Sequence, residues 1–135
     1  MFEAYSLNKD LVQNGVIPFE NVTIQKGCTA ELVSPGTIQF NKCGVYLLSL
    51  DCSVTSADAV NAAVQLYKSG VAQPQAQASA SVTADSTRSL SFYTLVQVPT
   101  NNSPCCCVSP VTAQIINTGD AVTYNNINLV VTKVC

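Results

Sequence analysis

The sequence predicts an all-β domain, arranged as a sandwich, jelly roll or barrel, and three observations carry that reading. Apolar residues recur with a period of two, and no long stretch carries a helical stripe. Val, Thr, Ser, Ile and Ala dominate, a supply rich in the β-branched types that pack well on a pleated surface. Gly, Pro, Asn and Asp punctuate the chain at short intervals, which leaves room for about eight to ten short strands. With 135 residues the chain fits one domain with one real core.

The strongest predicted strand covers residues 44–56, with Tyr46, Leu48, Leu50, Cys52 and Val54 on one face and Val45, Leu47, Ser49, Asp51 and Ser53 on the other. The first face is core by composition. The second begins apolar and turns polar. A second strand covers residues 88–98. Leu90, Phe92, Thr94, Val96 and Val98 share one side, and Ser91, Tyr93, Leu95 and Gln97 the other. Pro99 removes a ladder donor and ends it. A third covers residues 126–135, with Ile127, Leu129 and Val131 opposed to Asn128, Val130 and Val134. Weaker strands are expected at residues 16–24, 28–33, 37–40, 60–67 and 111–117. Turns are expected after Gly27 and at Pro35-Gly36, Gly44, Ser69-Gly70, Asn101-Asn102 and Thr118-Gly119-Asp120. Residues 71–81 consist almost wholly of Ala, Gln and Ser and read as either an edge strand or a loop.

Composition narrows the function. Charged residues are only 10% of the chain and the net charge is −2, so no long-range field steers nucleic acid or an anionic membrane. Lys9, Lys26, Lys42, Lys68, Arg88 and Lys133 are scattered, with no basic stripe in the sequence. A weakly charged β protein with open edges aggregates, so closed sheets or an oligomer are expected. There is no histidine, which removes the commonest general base and the usual catalytic triads. Asp51, Asp58, Asp85 and Asp120 are the candidate site carboxylates, and each reads as a turn or strand-end residue. No Gly-rich phosphate cradle is present and Trp is absent. The expectation is therefore no enzyme, no cofactor and no metal.

Seven cysteines, Cys28, Cys43, Cys52, Cys105, Cys106, Cys107 and Cys135, cannot pair fully within one chain. Buried free thiols are the simplest reading; disulfides within or between chains are the alternative. The adjacent Cys105-Cys106-Cys107 lacks the gaps that zinc ligation prefers, and packing or an intersubunit contact suits it better. No apolar run reaches the length of a membrane span. Residues 1–10 lack the charge and apolar pattern of a signal peptide, so synthesis in a host cytoplasm is expected.

The run Pro35-Gly36-Thr37-Ile38-Gln39-Phe40-Asn41-Lys42-Cys43-Gly44-Val45-Tyr46-Leu47-Leu48-Ser49-Leu50 resembles the strand, Gly-x-Tyr, strand signature of tumour-necrosis-factor and complement-globular-head jelly rolls. Leu66-Tyr67-Lys68-Ser69-Gly70 is similar to that family's next strand and Leu-x-x-x-Gly turn, and Asn126–Val134 to its closing strand. The same tail, with Ser103-Pro104-Cys105-Cys106-Cys107 before it, resembles small phage and prophage virion proteins and the C-terminal domain of collagen-like exosporium glycoproteins. The chain departs from these in having no collagen-like stalk, no acidic calcium-rich surface and no secretion signal. The resemblance implies a jelly roll of ten antiparallel strands and a compact homotrimer. Tyr46, Leu48 and Leu50 would fill the core. Leu47 and Ser49 would face the threefold axis, joined by Tyr93 and Leu95 and by Asn128 and Val130.

These readings lead to a non-enzymatic structural protein located in a virion, as a capsid decoration, head-fibre or tail-associated trimer. Residues 1–18 would dock onto a capsid, fibre or tail protein, and residues 19–135 would form the jelly roll. A receptor- or carbohydrate-binding tip, using loops at residues 71–87 and 100–104 with Asn101 and Asn102, is one alternative. A bacterial spore- or cell-surface protein is the other.

Overall fold

The computed structural model describes residues 1–26, 30–98 and 111–134. Among the described residues there are ten strands: β1 (Phe2–Leu11), β2 (Asn21–Gln25), β3 (Ala30–Ser34), β4 (Thr37–Phe40), β5 (Gly44–Thr55), β6 (Val60–Lys68), β7 (Val71–Val82), β8 (Thr87–Val98), β9 (Val111–Asn117) and β10 (Val122–Lys133). They pair antiparallel in two five-stranded sheets, ordered β2-β1-β10-β5-β8 and β3-β4-β9-β6-β7. From β5 onward the chain passes repeatedly from one sheet to the other, so each sheet is assembled from strands distant in sequence. This is the predicted jelly-roll sandwich. Among the described residues no helix is long and apolar enough to cross a membrane.

Side chains alternate across each strand, and that alternation decides what the sandwich encloses. Tyr46, Leu48, Leu50, Cys52 and Val54 of β5 are all buried, as are Ile127, Leu129 and Val131 of β10 and Leu90, Val96 and Val98 of β8. The opposite sheet contributes Ile38, Phe40, Ala62, Val64, Leu66, Ala113 and Ile115. Phe40 and Tyr46 join the two layers, their ring centroids 4.7 Å apart. Withdrawing each such large side chain from water is worth about 1.5–3 kcal/mol. Tyr46 keeps a polar partner while buried, because its hydroxyl donates to the Lys42 carbonyl at 2.6 Å.

Several elements differ from the sequence reading. Residues 2–11, assigned there to a docking segment, form β1 in the interior of the first sheet, between β2 and β10. Phe2, Ala4 and Ser6 point into the core, and the buried polar Ser6 is what obscures the alternation. The strand expected at residues 16–24 begins only at Asn21. Pro18 has no N–H for a ladder. Residues 16–19 instead cross to the other sheet, where Val16 bridges Ile116 and the Ile17 N–H donates to the Ile115 carbonyl. Ile17 and Phe19 cap the core there. Ser6 Oγ fastens the crossing, donating to the Pro18 carbonyl at 2.6 Å and accepting from the Glu20 N–H at 2.9 Å. The closing strand starts earlier than expected, at Val122. Residues 71–81 resolve as the edge strand β7, where Pro74 and polar side chains discourage further pairing.

At one end of the sandwich a buried amide ties three connections together. Asn117 Nδ2 donates to the carbonyls of Val12 and Asp120, and its Oδ1 accepts from the Tyr124 hydroxyl at 2.9 Å. Every polar atom of that amide thus has a partner, as burial demands.

Candidate assembly face

Strand pairing arranges the outward-pointing residues of the first sheet in rows. One row crosses it as Ile24, Glu3, Val130, Ser49 and Tyr93. The next, toward the β5 N-terminus, runs Thr132, Leu47 and Leu95. On the other side of the first row lie Tyr5, Asn128, Asp51 and Ser91. The structure therefore brings Leu47, Ser49, Tyr93, Leu95, Asn128 and Val130 onto one continuous face. Their roles differ by exposure. Tyr93 is 77% and Leu95 61% exposed, whereas Leu47, Ser49, Asn128 and Val130 are half-buried by their neighbours. Because β8 is the sheet edge, its two large apolar side chains have no sixth strand to shelter them.

The face grades from apolar to polar along the strands. Beyond the Tyr5 row lies a shallow depression of about 240 Å³ lined mainly by Asp51, Ser53, Ser89, Ser91, Asn126 and Asn128. Its hydroxyls, amides and single carboxylate offer hydrogen bonds at its rim. Sequence reasoning omitted Glu3, Tyr5 and Ile24 from this face. The alternation of Phe2, Ala4 and Ser6 was the available signal for β1, and Tyr5 follows from it directly. Ile24 was beyond reach, because its place depends on the register between β1 and β2.

Three of the candidate carboxylates share one end of the sandwich without forming a ligand group, and Asp51 lies apart from them. Asp58, Asp85 and Asp120 lie in turns as expected. Asp51 lies within β5, opposite Asn128 and Ser91, which corrects its strand-end assignment. Asp120 has a local structural task, with Oδ2 accepting from the Asn61 N–H at 2.9 Å. Among the described residues no three His, Cys, Asp or Glu side chains gather as metal ligands would. Cys52 is a core thiol donating to the Leu90 carbonyl at 3.4 Å. Burial, with a smaller contribution from Asp51, pushes its pKa up to about 12, so it stays protonated and unreactive at neutral pH. Cys43 is half-buried in the β4–β5 connection. Cys28, Cys105, Cys106, Cys107 and Cys135, with Asn101 and Asn102, lie outside the described residues.

The sheet orders make the fold a ten-strand jelly roll, similar to that of tumour-necrosis-factor and complement-head domains. Solved structures with the same arrangement include the globular domain of zebrafish complement 1qA, with a TM-score of 0.67 at 10% identity over 96% of this chain and 94% of that one. The TNF Eiger from S. frugiperda matches with a TM-score of 0.62 at 14% identity over 99% and 93%. PRD1 vertex protein P5 matches with a TM-score of 0.62 at 15% identity over 99% and 96%. At such identities the likeness is one of fold. No family model matches the chain, and no curated protein matches it in sequence.

Proposed function

We propose that this protein is a non-enzymatic structural subunit that assembles as a homotrimer through the outer face of its first sheet. The observation that carries the reading is Tyr93 and Leu95 standing exposed on an edge strand, beside half-buried Leu47 and Val130. Large apolar groups placed contiguously on one face mark an association surface, and covering each one gains about 1.5–3 kcal/mol. The face bears few charges, Glu3 and Asp51 among them, so packing it against copies of itself meets little repulsion. In this arrangement Leu47, Tyr93, Leu95 and Val130 form the dry part of the interface and Ser49 and Asn128 its hydrogen-bonding part.

The finer reading places the trimer in a virion, as a decoration, head-fibre, vertex or tail component. The fold likeness to PRD1 vertex protein P5 supports it, as does a surface poor in charge. Docking by residues 1–18 falls to the exposed loop Val12, Gln13 and Asn14 between β1 and the core-capping Ile17, because Phe2–Leu11 form a strand paired with both β10 and β2 within the first sheet.

Sedimentation equilibrium at micromolar concentration tests the assembly. The expected particle mass is three times 14.2 kDa. Tyr93→Glu combined with Leu95→Asp should reduce it to a single chain with an unchanged circular dichroism spectrum, since an unpaired charge buried in the interface costs at least about 2 kcal/mol. A wild-type monomer would overturn the reading. Immunogold labelling of particles released by the producing cell tests the location. Label on particles is expected; label confined to cell or spore surfaces would replace the virion reading with its surface alternative.

A further inference from the structure

The modest net charge of −2 conceals a segregation that the fold creates. The antiparallel pairings place the ends of all the strands at two poles. At one pole lie Lys26 after β2, Lys42 before β5, Lys68 closing β6 and Lys133 closing β10. Their common location follows from four observations. Lys133 is the register partner of Tyr46, the Tyr46 hydroxyl donates to the Lys42 carbonyl, Lys68 Nζ donates to the Gln97 carbonyl at 2.6 Å, and the Lys26 N–H donates to the Met1 carbonyl. Lys26, Lys42 and Lys133 are exposed, and the opposing charges nearest this pole are Glu31 and Glu3.

At the other pole lie Asp10 near the end of β1, Asp58 between β5 and β6, Asp85 between β7 and β8 and Asp120 between β9 and β10, all exposed. Asp10 Oδ1 accepts from Thr123, Asp120 Oδ2 accepts from the Asn61 N–H, and the Asp85 N–H donates to the Ser56 carbonyl. Among the described residues Arg88 is the counter-charge without an ion-pair partner on this side, since Lys9 is engaged with Glu20. The residues outside the described set, 27–29, 99–110 and 135, carry no charged side chain. Four of the six cations therefore stand at one end and four of the five aspartates at the other. The poles are separated by the length of β5, 12 residues, or roughly 36 Å. At physiological ionic strength screening acts over ~8 Å, so the poles do not cancel across the molecule. Among the described residues each pole carries side chains mainly of its own sign.

We propose that the two poles are complementary docking surfaces for each other, so that copies of this protein stack head to tail, lysine pole on aspartate pole. The occupant is a second copy because it carries the matching charge set at matching scale. The contact is heterologous and does not close on itself, so it propagates into linear stacks. It is distinct from the lateral sheet face and holds whether the stacking unit is a trimer or a single chain.

Sedimentation velocity and small-angle scattering at ~0.01 M and ~1 M salt test it, where the screening length falls from ~30 Å to ~3 Å. The apparent association constant of stacking should be at least about tenfold greater at the lower salt, with growth in length and no change in cross-section. The 1 M sample separately reports whether the basic particle is a trimer. Two exposed double variants supply the decisive arm. Lys42→Glu with Lys133→Glu makes both poles acidic, and Asp10→Lys with Asp58→Lys makes the aspartate pole basic. Each should lose stacking alone while keeping the fold and the 1 M mass, and an equimolar mixture of the two should stack again. Absence of growth in the wild type at low salt, growth that survives in both variants, or a mixture that fails to stack overturns the proposal.

Discussion

Cys52, Tyr46 and Tyr124 are ionisable side chains buried in the core as neutral groups. Burial raises all three pKa values, that of Cys52 to about 12. A raised folded-state pKa means the unfolded chain loses its proton first. The stability these groups contribute is complete below pH 9 and declines above it, beginning with Cys52 and joined from pH 10 by the tyrosines. Each titrating group removes about 1.4 kcal/mol per pH unit. Urea melts of the wild type at stepped pH should therefore show stability falling from pH 9. Cys52→Ala should lower stability at pH 7 and delay the alkaline decline to about pH 10, where tyrosine ionisation in the unfolded chain begins. An unchanged onset would mean that Cys52 is not the first group to titrate. The Asn117 amide nearby never ionises. It acts by accepting from the buried Tyr124 hydroxyl and donating to two backbone carbonyls.

Among the elements, the turn between β9 and β10 is packed closely against β6. A Cβ placed on Gly119 would lie 2.5 Å from the Asn61 carbonyl oxygen and 2.6 Å from the Ala63 nitrogen, both backbone atoms of β6. Those atoms cannot rotate away, so Gly119→Ala must displace the strand or the turn. Gly70, in the β6–β7 turn, has open space around the same position and is constrained by its φ of +82°. Thermal melts should rank the two, with Gly119→Ala costing about 2–4 kcal/mol through overpacking and Gly70→Ala about 1 kcal/mol through backbone conformation. Equal costs would contradict the close approach. At the β7 edge, by contrast, Pro74 and the glutamines restrict pairing and contribute little packing.

For the molecule as a whole, stability and assembly are linked under the proposed function. A subunit whose folded form associates is stabilised by mass action. Tm should rise with protein concentration for the wild type, by several degrees between about 1 and 100 μM. The Tyr93→Glu, Leu95→Asp double variant should melt at one temperature throughout that range. Differential scanning calorimetry across a dilution series makes the comparison. A wild-type Tm independent of concentration would show that the exposed apolar rows have no partner.

The fold was largely legible in the sequence because a period of two states which side of a strand faces the core. Counting and composition assigned Tyr46, Leu48 and Leu50 to the core, and counting separated Leu47, Tyr93, Leu95 and Val130 from the opposite faces of their strands. β1 escaped because Ser6 interrupts its apolar face, and a serine is admitted there only by two hydrogen bonds to a distant segment, at Pro18 and Glu20. Register and strand order lay beyond the sequence as well, since they depend on which strands meet. Only the tertiary structure could therefore set Ile24 in the same row as Tyr93. It also gathered lysines 26, 42, 68 and 133 at one pole. Charges far apart along a chain become neighbours when antiparallel strands return their ends to a common place, and no spacing in the sequence records that return.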